Sequence, residues 1–332
     1  MKASLLTVGM APHRHSGRSA GGMIRLTFFG LAPVIIAALY LYRGKALAIL
    51  AVSVIAAVGT EAIITAIVRQ PLRKLANGHA ALLGTILALV MPAGAALWIV
   101  GFAAVLCIAL GKMVFGNAWN YPFHPVLVAL VLVQMSWPDG VNNHLKPLPM
   151  LEEGTTGESA TVWQTAAAPL AAVKVLPRLA QKANVEELLW GDHPGAIGVT
   201  SVIAIALGGL ILIGLRVIPW QIPLGFLGAA WLFADIFHRV DPGTYPPPAF
   251  TLCAGALFFA ALFLATEWVT SPSTGWGMLL FGIGAGALTC IIRYWGGAVE
   301  GAFFAILIMN AAAPLLDRIV PVPFGRRLKA NA

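Results

Sequence analysis

The sequence predicts an all-α polytopic membrane protein of about ten transmembrane helices, arranged as two five-helix halves. Three observations lead there. Of 332 residues, 59% are hydrophobic and only 10% are charged, against about 25% charged in a soluble domain. Mean hydropathy is +0.85, too high for a chain that must cover itself with a water-facing surface. The basic residues fall in short pieces between long apolar runs. A net charge of +8 distributed in that way suits membrane anchoring and argues against nucleic acid as a partner. The bilayer is the expected surroundings.

Each span follows from length. The hydrocarbon core is about 30 Å thick, so a helix needs roughly 20 apolar residues to cross it. The candidate spans are 23–42, 47–68, 80–91, 95–110, 126–137, 196–217, 222–237, 250–265, 278–294 and 298–316. The third and fifth are short, so they are expected to be tilted, broken or re-entrant, with protein or a cavity around their backbone. Asn77-Gly78-His79 precedes the third. Tyr121-Pro122-Phe123-His124-Pro125 precedes the fifth, and two prolines three apart exclude a regular helix there. That backbone lines a cofactor pocket or forms a rigid loop leading into a helix. The first twenty residues are basic and polar and the first apolar run is long, so no cleavable leader is expected.

Charge orients the spans. With ten crossings and the N-terminus cytoplasmic, thirteen Lys and Arg side chains fall on the cytoplasmic side, Lys112 among them. Four fall in short loops opposite: Arg43, Lys45, Arg239 and Arg293. This is the bias of the positive-inside rule. The resulting organisation is a cytoplasmic tail (1–22), a first membrane half (23–137), a non-cytoplasmic loop (138–195), a second half (196–317) and a cytoplasmic tail (318–332). The loop holds seven of the thirteen acidic residues. Leu106-Cys107-Ile108 and Thr289-Cys290-Ile291, each followed by glycine and an apolar run, are weakly alike. Halves with an odd number of spans would be related as inverted repeats, which place sites near the midplane at interrupted helices.

Ionisable groups inside a membrane cost a few kcal/mol each and so suggest function. Glu61 lies deepest, flanked by apolar residues for more than two turns, and is a candidate for a proton or cation pathway. Glu300 is the second candidate. Asp235, Glu267, Arg293 and Glu300 also fit wet interfaces or local pairing. Two polar tracts, 191–201 and 266–274, combine glycine with small hydroxyl residues that let a backbone approach and bond a ligand. Equally, Ser273 or Thr274 suits the N-cap of the ninth helix. The cysteines Cys107, Cys253 and Cys290 lie in separate apolar runs and suggest neither a disulfide framework nor a metal site.

Taken in order, several segments resemble the RnfD/NqrB family, membrane subunits of bacterial ion-translocating redox complexes. The family's Ser-Ala-Leu-Leu-Thr-Gly is similar to His79-Ala80-Ala81-Leu82-Leu83-Gly84, and its N-P-F-N-P to Tyr121-Pro122-Phe123-His124-Pro125. Its G-x-I-G-E-T-S is similar to 195–201, including Thr200, and its T-D-P-V-(S/T)-A-S-T to 266–274, including Thr270, Ser273 and Thr274. The closing Pro-Glu-Gly…Asn-x-x-x-Pro-Leu-x-Asp is similar to Glu300-Gly301 through Asn310, Pro314, Leu315 and Asp317. Glu267-Trp268 stands where the family has Asp-Pro, and Val199 where it has Glu, which marks a divergent member.

The resemblance implies an electron-relay subunit of an Rnf/Nqr-type complex in the bacterial inner membrane. Its electron transfer would be coupled to Na⁺ or H⁺ translocation, and it would not be catalytic alone. It implies FMN attached through its phosphate to the threonine of an S-G-A-T motif, here Glu158-Ser159-Ala160-Thr161, so Thr161 is the attachment point with Ser159 and Ala160 beside it. Glu158 replaces the motif's serine, and a carboxylate beside an incoming phosphate is unfavourable. A second, non-covalent flavin (riboflavin in some members), a flavin transferase and other complex subunits as partners are implied as well. The competing expectation from the residues alone is a stand-alone channel or secondary transporter for a small solute.

Overall fold

The computed structural model describes residues 19–70, 77–115, 120–148, 163–177, 179 and 184–319. Every regular element among them is a helix. The first, α1 (Ala20–Ile67), begins at Ser19, whose side chain caps Gly22 N at 3.1 Å. Its 48 residues would run about 72 Å if straight, over twice the hydrocarbon thickness. The chain turns at Arg43, which takes φ 41° and ψ −120°, so the helix comprises the first two sequence-predicted spans. Large apolar side chains such as Ile36, Ile55 and Ile67 stand exposed along it. In water such a surface would invite aggregation, whereas in a bilayer it faces lipid. With Gly275–Trp295 it is one of two described helices long and apolar enough to cross a membrane.

The remaining helices are α2 (His79–Val90), α3 (Leu97–Ile108, continuing as a π-helix over Ala109–Met113), α4 (Pro125–Ser136), α5 (Pro138–Val141), α6 (Pro169–Val175), α7 (Val185–Trp190), α8 (Val202–Gly214) and α9 (Gln221–Val240). They are followed by α10 (Pro248–Cys253), α11 (Leu257–Phe259, continuing as a π-helix over Ala260–Leu264), α12 (Gly275–Trp295) and α13 (Gly301–Leu316). The two short spans expected at 80–91 and 126–137 are α2 and α4. Twelve residues each, they reach only about 18 Å. In α2 every residue except Ala81 is buried, as a half-span requires.

Two spans differ from the sequence reading. The run 196–217 becomes helical only at Val202, because residues 196–198 bond instead to the end of α2. Ile197 N donates to Met91 O at 3.1 Å and Gly198 N to Leu89 O at 2.8 Å. The run 250–265 breaks between α10 and α11 at Gly255, whose φ is +72°. Both departures leave helix-terminal groups bonded to other segments, the condition for irregular backbone at membrane depth.

Glycine sets the closest helix crossings. A Cβ on Gly282 would strike Ile222 O, and one on Gly286 would strike Phe226 O. Gly225, four residues before Ala229, faces them from α9, with Leu279 O 2.7 Å from where its Cβ would be. Small residues four apart on both helices allow this backbone approach, which drives association where lipid is as apolar as leucine. Gly208 lets α8 cross α1 against Gly30 O. The loop is pinned too: Lys174 Nζ donates to Gly296 O and Ala298 O, each at 2.6 Å. Aromatic rings pair edge-on, Trp137 against Trp98 at 5.4 Å and Phe237 against Trp295 at 4.9 Å, as in an interfacial belt.

Gly286→Leu should lower unfolding stability in detergent by about 1–3 kcal/mol. Gly228→Ala, also on α9 but with nothing within 4 Å of its added Cβ, should be neutral or stabilising. Equal losses in the two unfolding midpoints would refute glycine-governed packing.

Candidate functional site

Glu61 and Glu267 are buried in the helical core and Glu300 is partly buried, and the partners of the three differ. Glu61, on α1, receives a hydrogen bond from Lys112 Nζ at 2.5 Å. Lys112 is 1% exposed, so it is no loop cation as its place in the sequence suggests. The π-helix over Ala109–Met113 carries it into the core. At Gly111 in that turn, an added Cβ would lie 2.7 Å from Pro125 Cα. Widened turns of this kind recur at functional positions.

Glu300 pairs with Arg293 at 3.2 Å, so the local-pairing reading holds for both. The pair also mends the break in the α10–α11 span. Arg293 Nη1 donates to Thr251 O at 2.7 Å and Nη2 to Ala254 O at 3.1 Å. Ala256 N donates to Glu300 Oε1 at 3.0 Å. A cation thus meets the carbonyl end of one half-helix and a carboxylate the amide end of the next, as the helix dipoles favour.

Among the described residues, Glu267 faces two titratable partners. Tyr121 Oη donates to its Oε1 at 2.7 Å, and His79 Nε2 lies 3.9 Å from the same atom. The Tyr121 and His79 rings stack with centroids 6.2 Å apart. His124 is fully buried nearby, and neither ring nitrogen has a hydrogen-bond partner among the described residues. Four positions that differ from the family motifs (His79, Tyr121, His124 and Glu267) therefore come together. Sequence reading placed them on three separate segments, with unusual backbone marked at Asn77-Gly78-His79 and at the Pro-flanked Tyr121–His124 stretch.

Two cavities lie at opposite ends of α8. At the loop-side end, about 260 Å³ is enclosed by apolar residues including Val90, Leu130 and Phe303, together with Gln134, His144 and His193. Gln134 Oε1 and His144 Nδ1 are buried without partners. Burial pushes both the His144 and the His193 imidazole below the ordinary value, against hydrogen bonds to backbone carbonyl groups, so each is neutral at neutral pH. His193 Nε2 lies 3.1 Å from Thr200 O. The flank of the loop is fastened beside this cavity. Lys146 N donates to Gln164 O at 2.9 Å, Ala166 N to His144 O at 3.0 Å, and Trp163 stacks on Tyr42 with centroids 6.4 Å apart.

The other cavity, about 620 Å³, is lined by Arg216, Trp220, Thr266, Trp268 and Ser273 among others. Thr200 therefore does not meet Thr270, Ser273 and Thr274; the thirteen residues of α8, about 20 Å of helix, separate their ends. Thr270 is buried. Thr274 caps α12, accepting from Gly277 N at 3.1 Å. Asp317 Oδ1 accepts from Ser273 N at 2.8 Å, Ser273 Oγ at 3.2 Å and Thr274 N at 3.2 Å, which ties the closing motif to the 266–274 tract. Thr161, Ser159 and Ala160 lie outside the described residues.

The family model described as NQR2, RnfD, RnfE matches residues 7–325. This chain belongs to that family. Among its relatives is the D subunit of the ion-translocating oxidoreductase complex of Stutzerimonas stutzeri, 34% identical with 91% of each chain covered. The D subunit of the proton-translocating ferredoxin:NAD(+) oxidoreductase complex of Clostridium ljungdahlii is 31% identical over 98% of each. Its counterpart in the Na(+)-translocating ferredoxin:NAD(+) oxidoreductase complex of Acetobacterium woodii is 32% identical over 94% of this chain and 93% of that one.

Lys112→Met leaves Glu61 buried without its cation and should cost about 3–5 kcal/mol. Adding Glu61→Gln should recover most of that loss in a double-mutant cycle of unfolding midpoints. Strictly additive losses would show that the two side chains do not interact.

Proposed function

We propose that this chain is the membrane subunit of an ion-translocating oxidoreductase complex and that it carries FMN as a phosphoester on Thr161. Family membership and the complex-subunit names of the relatives support the first part. The loop-side cavity carries the second. A flavin ring has two apolar faces and a polar pyrimidine edge. The cavity has apolar walls and two buried polar atoms, Gln134 Oε1 and His144 Nδ1, without partners. Trp163, two residues after Thr161, stacks on Tyr42.

Bound there, FMN would supply one- and two-electron redox chemistry. The chain's own residues would hold and orient it. Val90, Leu130 and Phe303 exclude water from the ring faces. Neutral His144 offers a donor or an acceptor according to its tautomer, and Gln134 Oε1 accepts. A flavin transferase would have to read the altered Glu158-Ser159-Ala160-Thr161. A second, non-covalent flavin is part of the same proposal.

The topology proposed with this function is ten spans in two five-helix halves, with both termini cytoplasmic and the loop 138–195 periplasmic in the bacterial inner membrane. Electrons would pass between partner subunits, coupled to ion movement through the complex. Glu61 and Glu300 are proposed as ionisable positions of that pathway.

Protein co-expressed with a flavin transferase should fluoresce under blue light on a denaturing gel, and Thr161→Ala should abolish the signal. A dark wild-type band would overturn the covalent attachment and leave solute transport as the competing reading. His144→Ala should keep the fluorescence but alter the flavin absorption spectrum of the folded protein, because the ring loses a polar neighbour. An unchanged spectrum would place the ring elsewhere.

A further inference from the structure

The contrast among Glu61, Glu300 and Glu267 goes further. Glu61 and Glu300 each face a cation, Lys112 or Arg293. Glu267, 9% exposed, has His79 as its ion-pair partner among the described residues and Tyr121 as its hydrogen-bond donor. Both are groups whose charge depends on a bound proton. A carboxylate removed from water needs compensation, and here a proton is what the surroundings are equipped to supply. His124, fully buried and without a hydrogen-bond partner among the described residues, adds a second base.

The cluster is also within reach of water. A chamber of about 20 Å³ touches Glu267, Thr266 and Trp268, and a cavity of ~10–15 Å³ is enough for one water molecule. The open cavity of about 620 Å³ is lined by the same Thr266 and Trp268, and by Ile218, which also lines the chamber. Thr266 Oγ1 donates to Leu262 O at 2.7 Å, so its oxygen can still accept a hydrogen bond from a water in the chamber. The other groups facing the cluster are Cys107 on α3, within electrostatic range of both Glu267 and Lys112, and Lys112 itself, held by Glu61. Thr27 of α1 completes the polar lining of the chamber.

We propose that Glu267, Tyr121, His79 and His124 form a proton-binding site that exchanges with water through the Thr266–Trp268 constriction. The site takes up one proton from water in the open cavity and returns it by the same route. No covalent bond between heavy atoms changes. The Glu267 carboxylate and the imidazoles share the proton, and Tyr121 Oη stabilises the ionised carboxylate by donating to it. The relatives' names include both a proton and a sodium ion as the species moved. In this chain, imidazole and phenol stand at three of the motif positions, and they bind protons rather than alkali cations.

This inference rests on the ion-coupled reading above, but its test needs neither flavin nor partner subunits. Full-length protein, expressed without flavin transferase and placed in lipid nanodiscs, would be titrated with pH while infrared difference spectra are recorded. A reversible carboxyl C=O band accompanied by imidazole bands is expected, lost in Glu267→Gln. In Tyr121→Phe the midpoint should rise by about one pH unit, since the ionised carboxylate loses its donor. Replacing sodium by choline should leave the midpoint unchanged. Should Glu267→Gln not fold, Tyr121→Phe and His124→Asn carry the test, the latter by removing imidazole bands alone. A spectrum without pH-dependent carboxyl or imidazole bands, bands that survive Glu267→Gln, or a midpoint that moves with sodium would overturn the proton site. None of these outcomes bears on complex membership, and a dark denaturing gel would leave the proton site intact.

Discussion

Backbone amides and carbonyls in hydrocarbon must find partners inside the protein, and this chain interrupts its helices in spite of that. The structure depends on how each interruption is satisfied. The end of α2 gives carbonyls to Ile197 and Gly198. The carbonyl end of α10 is met by Arg293, and the amide of Ala256 by Glu300. The amides before α12 are met by Asp317. Each partner comes from a distant part of the sequence, so every break also staples two elements together.

The cavities follow from those breaks. Where a helix stops short, the space it would have filled is left to other side chains. The loop-side cavity lies at the margins of α2, α4 and the α10–α11 junction, and the fastened flank of the loop lies beside it. The opposite cavity lies beyond the ends of α8 and of the α11 π-helix. Close glycine crossings between α9 and α12 and between α1 and α8 hold the surrounding frame together. The same geometry explains why Thr200 and the Thr270–Thr274 group, alike in composition, serve different ends of the molecule.

Charge is divided by role. Lys112 pairs with Glu61 and Arg293 with Glu300, and Arg293 also completes a broken span. Glu267 instead faces Tyr121 and His79 among the described residues. Breaking an ion pair as buried as Lys112–Glu61 is costly, because the remaining charge has no solvent to turn to.

The sequence by itself determined the membrane class, the approximate spans, the polar loop and the family. Those properties are summed along the chain: hydropathy over twenty residues, charge per loop, motifs in order. It also marked the short third and fifth spans and the prolines before α4. It misplaced Lys112 as a loop cation, because a π-turn that carries a lysine inward leaves no signature in an apolar run. Only the tertiary structure decided which residues meet. Glu61 finds Lys112 across 51 positions, and Tyr121 finds Glu267 across 146. Such pairings depend on which helices cross and at what depth their turns break. That is set by packing over the whole bundle, and no local stretch of residues encodes it.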